Sequence, residues 1–409
     1  MVSPSPLSTE PGRAASIRQQ LGHMNSMADI RVFTLHPLYP RIALLQPRSF
    51  LYERNEFAVA NDDDLRVTYV RYPAVPFLTR PLNGIAAARR LFEYVADFRP
   101  DVVLSYCIYP DAFAAISVAR KLGVPVIAGA RGSDLLRISD AFTRHQIKRA
   151  LQWCDYVIAV SSELISKAVE LGACKDRTRV IPNGCETSIF FPAERDEAKR
   201  ELALPNGCQL VTFVGRLVRL KGLSELLTAF KSLLGAHPSL VLACIGDGPL
   251  MPELRELCAT MGIQDRVYFT GNLPATAVAR WLAASDLFCL PSHSEGCPSA
   301  VIEALACGRP VVATDVGGIP DLIRPSCGIL VPPKNSGALQ SAIGKALSTD
   351  WDALEISRSF TRTWRDVAAE TYSVCEELLS DVNGTGELDS FERRVKAPEK
   401  TRPNRHRRV

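Results

Sequence analysis

Two glutamates, Glu295 and Glu303, flank seven residues in the stretch SHSEGCPSAVIEALACG (292–308). Carboxylates so placed fit several chemistries: solvated surface charges, a metal site, an acid–base pair, or hydroxyl acceptors for a sugar and a ribose. Glu295 lies in a Gly/Pro/Ser-rich loop that follows the buried run DLFCLPS (286–292). Glu303 falls about a turn and a half into a short helix that starts near Pro298 and stops at Gly308. Val301, Ile302 and Leu305 around it are apolar, and a carboxylate flanked that way is costly to bury unless something polar meets it. Read alone, a helical glutamate is a solvated charge.

A second group stands in FVGRLVRLKGLSELLTAF (213–230). A strand ends at Gly215, and Arg216 and Lys221 follow in a loop before a helix that opens near Ser224. Two cations at a strand's C-terminal end, beside a helix N-terminus, suit a diphosphate: arginine offers a fork, lysine a point charge. Two solvated loop cations are the plain alternative. CIGDGP (244–249), with Asp247 and Gly248, and FTGNLP (269–274), with Gly271, are two more strand-to-glycine turns, as close backbone approach to a ligand requires. No G-x-G-x-x-G follows a strand, which disfavours a nicotinamide enzyme.

The elements that position these groups alternate between β-rich apolar runs and helix-period segments. Strands are expected at 30–37, 65–73, 101–107, 125–132, 155–161 and 178–184, and again at 209–216, 240–248, 266–271, 286–292, 310–315 and 328–333. Two successive βαβ series predict two doubly wound parallel sheets whose strand C-terminal ends face a shared crevice. The segment NGCETSIFFPAERDEAKRELALP between the series reads as a linker. The expected division is an N-terminal domain over 1–190, a C-terminal domain over 191–365, a helix over 366–382 returning to the first domain, and a disordered basic tail over 383–409. The beginning, MVSPSPLSTEPGRAASIRQQLGHM, opens with a loop and a helix where a strand is expected first, residues 1–3 being its last remnant. A start placed downstream of the true one and a disordered N-terminal tail both account for this.

Composition narrows the class. With 47% hydrophobic and 22% charged residues, the 409-residue chain is an ordinary globular protein of two domains. Its net charge of +4 belongs to the tail 391–409, where eight Lys/Arg face two Glu, so the body is no nucleic-acid surface. The 12 cysteines are scattered without a C-x-x-C pair, which argues against zinc ribbons and reads as buried, reduced thiols of a cytosolic protein. No apolar run is long enough to span a membrane. The acidic run NDDD (61–64) is a solvated turn, and no metal is expected.

GRLVRLKG, GDGP, FTGNLP and EGCPSAVIEALACGRPVVATDVGGIPDLI together resemble the C-terminal domain of family 4 (group 1) retaining glycosyltransferases of GT-B architecture, and VSSELISKAVELGACKDRTRVIPNGCETSIFFP resembles that family's domain junction. The likeness covers residues 100–370 well. It implies a cytoplasmic enzyme that moves a sugar from a UDP- or GDP-linked donor to a glycan or lipid-linked acceptor, with no cofactor. Glu303 would accept hydrogen bonds from the ribose hydroxyls. Glu295 would sit by the donor sugar, with Gly296, Cys297, Pro298, Ser299 and Ala300 around it, and Arg216 and Lys221 would hold the diphosphate. Two fixed cations would replace the metal ion that other phosphate-transfer sites use.

In the N-terminal half, ARGSDLL (130–136) aligns with the family's HGSD-like loop. Gly132, Ser133 and Asp134 match, while Arg131 stands at the usual histidine position and cannot act as a base near neutral pH. Helix capping by Ser133 or Asp134 competes with ligand contact there. PSPLSTEPGR (4–13) corresponds to the family's glycine-rich loop but keeps only Gly12. The basic tail solubilises, or is drawn to an anionic membrane face. Two rival functions stay open, a nucleotide-sugar epimerase of similar architecture and a catalytically silent scaffold of the same fold.

Overall fold

The computed structural model describes residues 2–3, 15–40, 65–75, 79, 82–136, 138 and 140–384. The loop 4–13, the acidic run 61–64 and the tail 391–409 lie outside these residues.

The apolar runs form two parallel sheets. The first holds β1 (Val2–Ser3), β2 (Arg31–Leu38), β3 (Arg66–Pro73), β4 (Val103–Ser105), β5 (Val126–Ala130), β6 (Tyr156–Ala159) and β7 (Thr178–Val180) in the order β3-β2-β1-β4-β5-β6-β7. The second holds β8 (Gln209–Val214), β9 (Leu240–Ile245), β10 (Val267–Gly271), β11 (Leu287–Leu290), β12 (Val311–Thr314) and β13 (Gly328–Val331) in the order β10-β9-β8-β11-β12-β13. Each expected run supplies one of β2 to β13. The place of the first strand is held by Val2–Ser3, in register with Phe33, Thr34 and Ser105. Both orders reverse at the first strand of the sheet, which puts the ligand crevice beyond the ends of β1 and β4 and of β8 and β11.

Helices on both faces explain why the strands read as unbroken apolar runs: all six residues of β9 are buried. On helix Leu223–Leu233, residues Leu223, Leu226, Leu227, Phe230 and Leu233 recur at helical spacing and are all buried. Each contributes about 1.5–3 kcal/mol by leaving water. This burial seats the helix against helix Ser336–Leu347 and so fixes the loop that precedes it.

The expected linker is not structureless. Helix Arg195–Glu201 lies within it, and Ala198 packs with Leu204, Cys208, Leu210, Ala283 and Ala284 of the second half. Asp286 at the start of β11 holds it: its carboxylate accepts from Lys199 Nζ and from the Leu210 amide, each at 2.6 Å, and pairs with Arg195 at 3.2 Å. Seven residues with one buried side chain are too short to show a periodicity, so the charges alone were legible.

Helix Trp364–Gly384 runs back onto the first half. Trp364, Val367, Val374 and Leu378 pack with Ile17, Leu21 and Met24 of helix Ala15–Met24, and Gln20 Nε2 donates to Thr371 Oγ1 at 2.8 Å. Arg179 pairs with Glu377 at 2.9 Å, and Arg177 with Asp381. The chain therefore passes between the halves twice, and the two passages touch. The Cys185 amide donates to the Arg362 carbonyl at 3.0 Å, Cys185 bridges Thr363, and Arg362 Nε donates to the Pro182 carbonyl at 3.1 Å.

Candidate active site

At the ends of β8, β9 and β10 the expected glycine turns lie side by side. Gly215 directly follows β8, and its amide donates to the Ile245 carbonyl at 2.9 Å. The Gly246 amide donates to the Gly271 carbonyl and the Leu217 amide to the Asp247 carbonyl, both at 2.9 Å. Asp247 is exposed, with its Oδ1 taking the Gly248 amide at 2.6 Å. Gly222 has φ +67°, and a Cβ there would lie 2.0 Å from the Pro291 carbonyl oxygen. Only glycine lets the Lys221 loop approach β11 so closely.

That approach joins the two groups of site residues. Lys221 Nζ donates to Glu295 Oε1 at 2.6 Å, and Ser292 Oγ donates to the same oxygen at 2.6 Å. The Glu295 side chain is 10% exposed and that of Lys221 22%, so the pair is largely withdrawn from water. The His293 amide donates to the Leu220 carbonyl at 2.7 Å, and its ring Nε2 meets Glu225 Oε1 at 2.9 Å. The loop 292–295 is thus tied to the Lys221 loop by backbone and side chain. Arg216, by contrast, is exposed at the rim and makes no side-chain hydrogen bond or ion pair among the described residues.

Helix Ser299–Ala306 follows, with Pro298 immediately before it and Ser299 and Ala300 in its first turn. Val301, Ile302, Ala304 and Leu305 are buried beneath it. Glu303 is half-buried and has no hydrogen-bond or ion-pair partner among the described residues. Burial pushes its carboxyl up to about 7 from the ordinary 4.5. An uncompensated carboxyl of this kind is poised to accept hydrogen bonds from a ligand's hydroxyls. Cys297 is buried, and its thiol is pushed up to about 11, so it is neutral near pH 7 and no nucleophile.

The first half meets this loop at backbone distance. A Cβ on Gly296 would lie 2.2 Å from the Arg131 carbonyl oxygen, and one on Gly132 would lie 3.3 Å from Gly296 Cα. Ser133 and Asp134 open the short helix Ser133–Leu136, which makes Gly132 the residue before the helix rather than either of them. The Arg131 guanidinium turns to Asn183, with Nη2 donating to Oδ1 at 2.9 Å, and lies 5.4 Å from the Tyr106 ring centre. Asn183 Nδ2 in turn donates to the Cys297 carbonyl at 2.8 Å and reaches Ser299 Oγ at 3.4 Å.

Of the expected residues, Lys221, Glu295, Gly296 and the first turn of the Glu303 helix are brought together. Ser292, His293, Asn183 and Gly318, whose amide donates to the Gly296 carbonyl at 2.8 Å, support them without having been singled out from sequence. For Gly318 the signal was available in the Gly-Gly pair after β12. Among the described residues no cluster of three or more His, Cys, Asp or Glu could hold a metal ion.

Two family profiles match the chain, "Glycosyltransferase Family 4" over residues 32–189 and "Glycosyl transferases group 1" over residues 194–363. A putative teichuronic acid biosynthesis glycosyltransferase, TuaC of Bacillus subtilis, is 31% identical over 347 residues, covering 83% of this chain and 86% of that protein. The chain belongs to the group 1 (family 4) glycosyltransferases. Another relative, the D-inositol 3-phosphate glycosyltransferase of Acidothermus cellulolyticus, is 39% identical over 187 residues, 43% of this chain and 42% of that one. The fold of this glycosyltransferase is the GT-B fold. Sucrose-phosphate synthase from Thermosynechococcus elongatus superposes with a TM-score of 0.66 at 20% identity, covering 93% and 92% of the two chains. Anabaena HepE in complex with UDP-glucose gives 0.65 at 18%, covering 94% and 99%.

Proposed function

We propose that this glycosyltransferase moves a sugar from a nucleotide-sugar, UDP- or GDP-linked, to a glycan or lipid-linked acceptor with retention at the anomeric carbon. The carrying observation is the Lys221–Glu295 pair where β8 and β11 end, followed along the chain by the helix that holds Glu303, a half-buried carboxyl without a partner among the described residues. Glu303 accepts the ribose hydroxyls, Glu295 a hydroxyl of the transferred sugar, and Lys221 with Arg216 faces the diphosphate between them. As the bond from the anomeric carbon to the phosphate oxygen breaks, the sugar becomes oxocarbenium-like and negative charge collects on the leaving oxygen. The two cations stabilise that charge, so transfer proceeds without a metal ion. The acceptor oxygen enters on the face the leaving group quits, and its proton passes to the departing phosphate. Closure of the crevice excludes water and limits hydrolysis of the donor.

The biosynthetic role in the TuaC relative's name supports assembly of surface polysaccharide as the setting. No helix among the described residues is long and apolar enough to cross a membrane. We place the reaction at the cytoplasmic side, with the basic tail 391–409 as a peripheral contact to anionic lipid. Vesicle sedimentation with and without the tail tests that contact.

The reading is tested by thermal shift against a panel of nucleotide-sugars, followed by transfer assays in EDTA. One donor is expected to raise the melting temperature and to be consumed. If none stabilises the protein, or if Lys221→Ala and Glu303→Gln turn over as well as the unaltered enzyme, the assignment is wrong. Conversion of the donor into an epimer would favour the epimerase reading, and binding without turnover the scaffold.

A further inference from the structure

We propose that Arg131 is a positioning residue that acts through Asn183 to set the donor loop 296–299, and that it does not touch substrate. This rests on the nucleotide-sugar reading above. Three segments far apart in sequence meet in one relay. Arg131 follows β5 in the first half, Asn183 stands at the passage between the halves, and Cys297 and Ser299 belong to the loop and helix start of the second half. Arg131 Nη2 donates to Asn183 Oδ1 at 2.9 Å, and Asn183 Nδ2 donates to the Cys297 carbonyl at 2.8 Å. Asn183 is 6% exposed, so its amide has been taken from water and is held by these partners. Arg131 fixes which way that amide faces: a cation beside the oxygen leaves only the NH2 group for the carbonyl and for Ser299 Oγ at 3.4 Å. The Tyr106 ring beside the guanidinium limits its swing.

The consequence is geometric. Cys297 and Ser299 immediately flank Pro298, at which helix Ser299–Ala306 begins, so the relay sets the start of the helix that carries Glu303. On the other side of Cys297, Gly296 lies against the Arg131 backbone and leads to Glu295. Arg131 therefore bears on both glutamate positions of the second half, by its side chain through Asn183 toward Glu303 and by its backbone against Gly296 toward Glu295. An imidazole is shorter and presents at most one donor in this direction, whereas the guanidinium spans to Asn183.

Double-mutant kinetics decide it, with the full chain and the nucleotide-sugar that the thermal-shift panel identifies. Arg131→Met and Asn183→Ala are each expected to raise the KM for that donor about tenfold, as loss of a charge-assisted or buried hydrogen bond does. kcat and the acceptor KM should change by less than about threefold, and Arg131→Lys should recover part of the loss. The double variant should be no worse than the poorer single, because both changes cut the same relay. Calorimetric binding of UDP and GDP should follow the same pattern in the absence of turnover. Losses that multiply in the double variant, or an Arg131→Met enzyme whose defect lies in kcat or acceptor KM, would overturn the relay. An unaltered protein that binds neither nucleotide nor any nucleotide-sugar overturns the functional reading and this proposal with it. If Arg131→Met unfolds, Arg131→Lys and Asn183→Ala alone still discriminate, since a direct substrate contact by Arg131 predicts no donor-KM defect in Asn183→Ala.

Discussion

Lys221 Nζ and Glu295 Oε1, 74 positions apart, meet at 2.6 Å where β8 and β11 end. Ser292 donates to the same carboxylate oxygen, so Glu295 holds two hydrogen bonds before any ligand arrives. The arrangement fixes the Lys221 cation and the Glu295 carboxylate against each other at the mouth of the crevice.

Lys221→Ala is expected to lower kcat/KM by about 10²–10³, the usual loss on removing one charge-stabilising group. It also leaves Glu295 with Ser292 alone in a mostly buried position, costing about 1–3 kcal/mol of stability. Lys221→Arg should keep stability and recover part of the rate. Urea unfolding and steady-state kinetics on both variants check the pair.

Glu303 gives a pH signature. Its folded-state value, about 7, lies above the ordinary 4.5, so the unfolded chain releases the proton first. Stability of the empty protein therefore falls as pH rises from about 4.5 to about 7, by up to about 3 kcal/mol, and the loss is complete above that. Glu303→Gln removes this penalty, so its melting temperature should exceed that of the unaltered protein at pH 8 and not at pH 4.5. Its affinity for the nucleotide-sugar should drop about tenfold at pH 8. Equal melting shifts at both pH values would contradict the assignment.

Asp286 is a structural rather than a catalytic target. Asp286→Asn weakens its bonds to Lys199, Arg195 and the Leu210 amide together, and is expected to cost about 2–4 kcal/mol with KM unaltered at low temperature. Chemical denaturation alongside kinetics measures both.

Gly222→Ala places a methyl 2.0 Å from the Pro291 carbonyl at a φ of +67°, which must push the Lys221 loop off β11. A loss of about 2–4 kcal/mol is expected, with a donor KM raised at least about tenfold. The neighbouring Gly235, where nothing stands within 4 Å, is the control, and Gly235→Ala should leave both quantities near their starting values.

Most of the fold was legible because parallel strands buried on both faces write themselves as apolar runs, as LVLACI of β9 does. Glu303 was legible because a carboxylate among Val301, Ile302 and Leu305 violates the pattern of its own helix. Helix Arg195–Glu201 was not, since one buried alanine carries no period. Asn183 was not either: its partners lie 52 and 114 positions away, and nothing local marks an amide that will be held between two domains. For Arg131 the position of the loop after its strand was legible, while the direction of the guanidinium depends on where Asn183 and Tyr106 arrive.

The two chain passages bound to each other at Cys185 and Thr363 form a paired tether. A single strand would let the halves twist, shear and separate freely. Two passages joined by the Cys185 amide on the Arg362 carbonyl, and seated without room for a side chain at Gly184, resist shear. The halves thus meet at two separate places along one seam, the paired passages at Cys185–Thr363 and the backbone approach of Gly132 to Gly296.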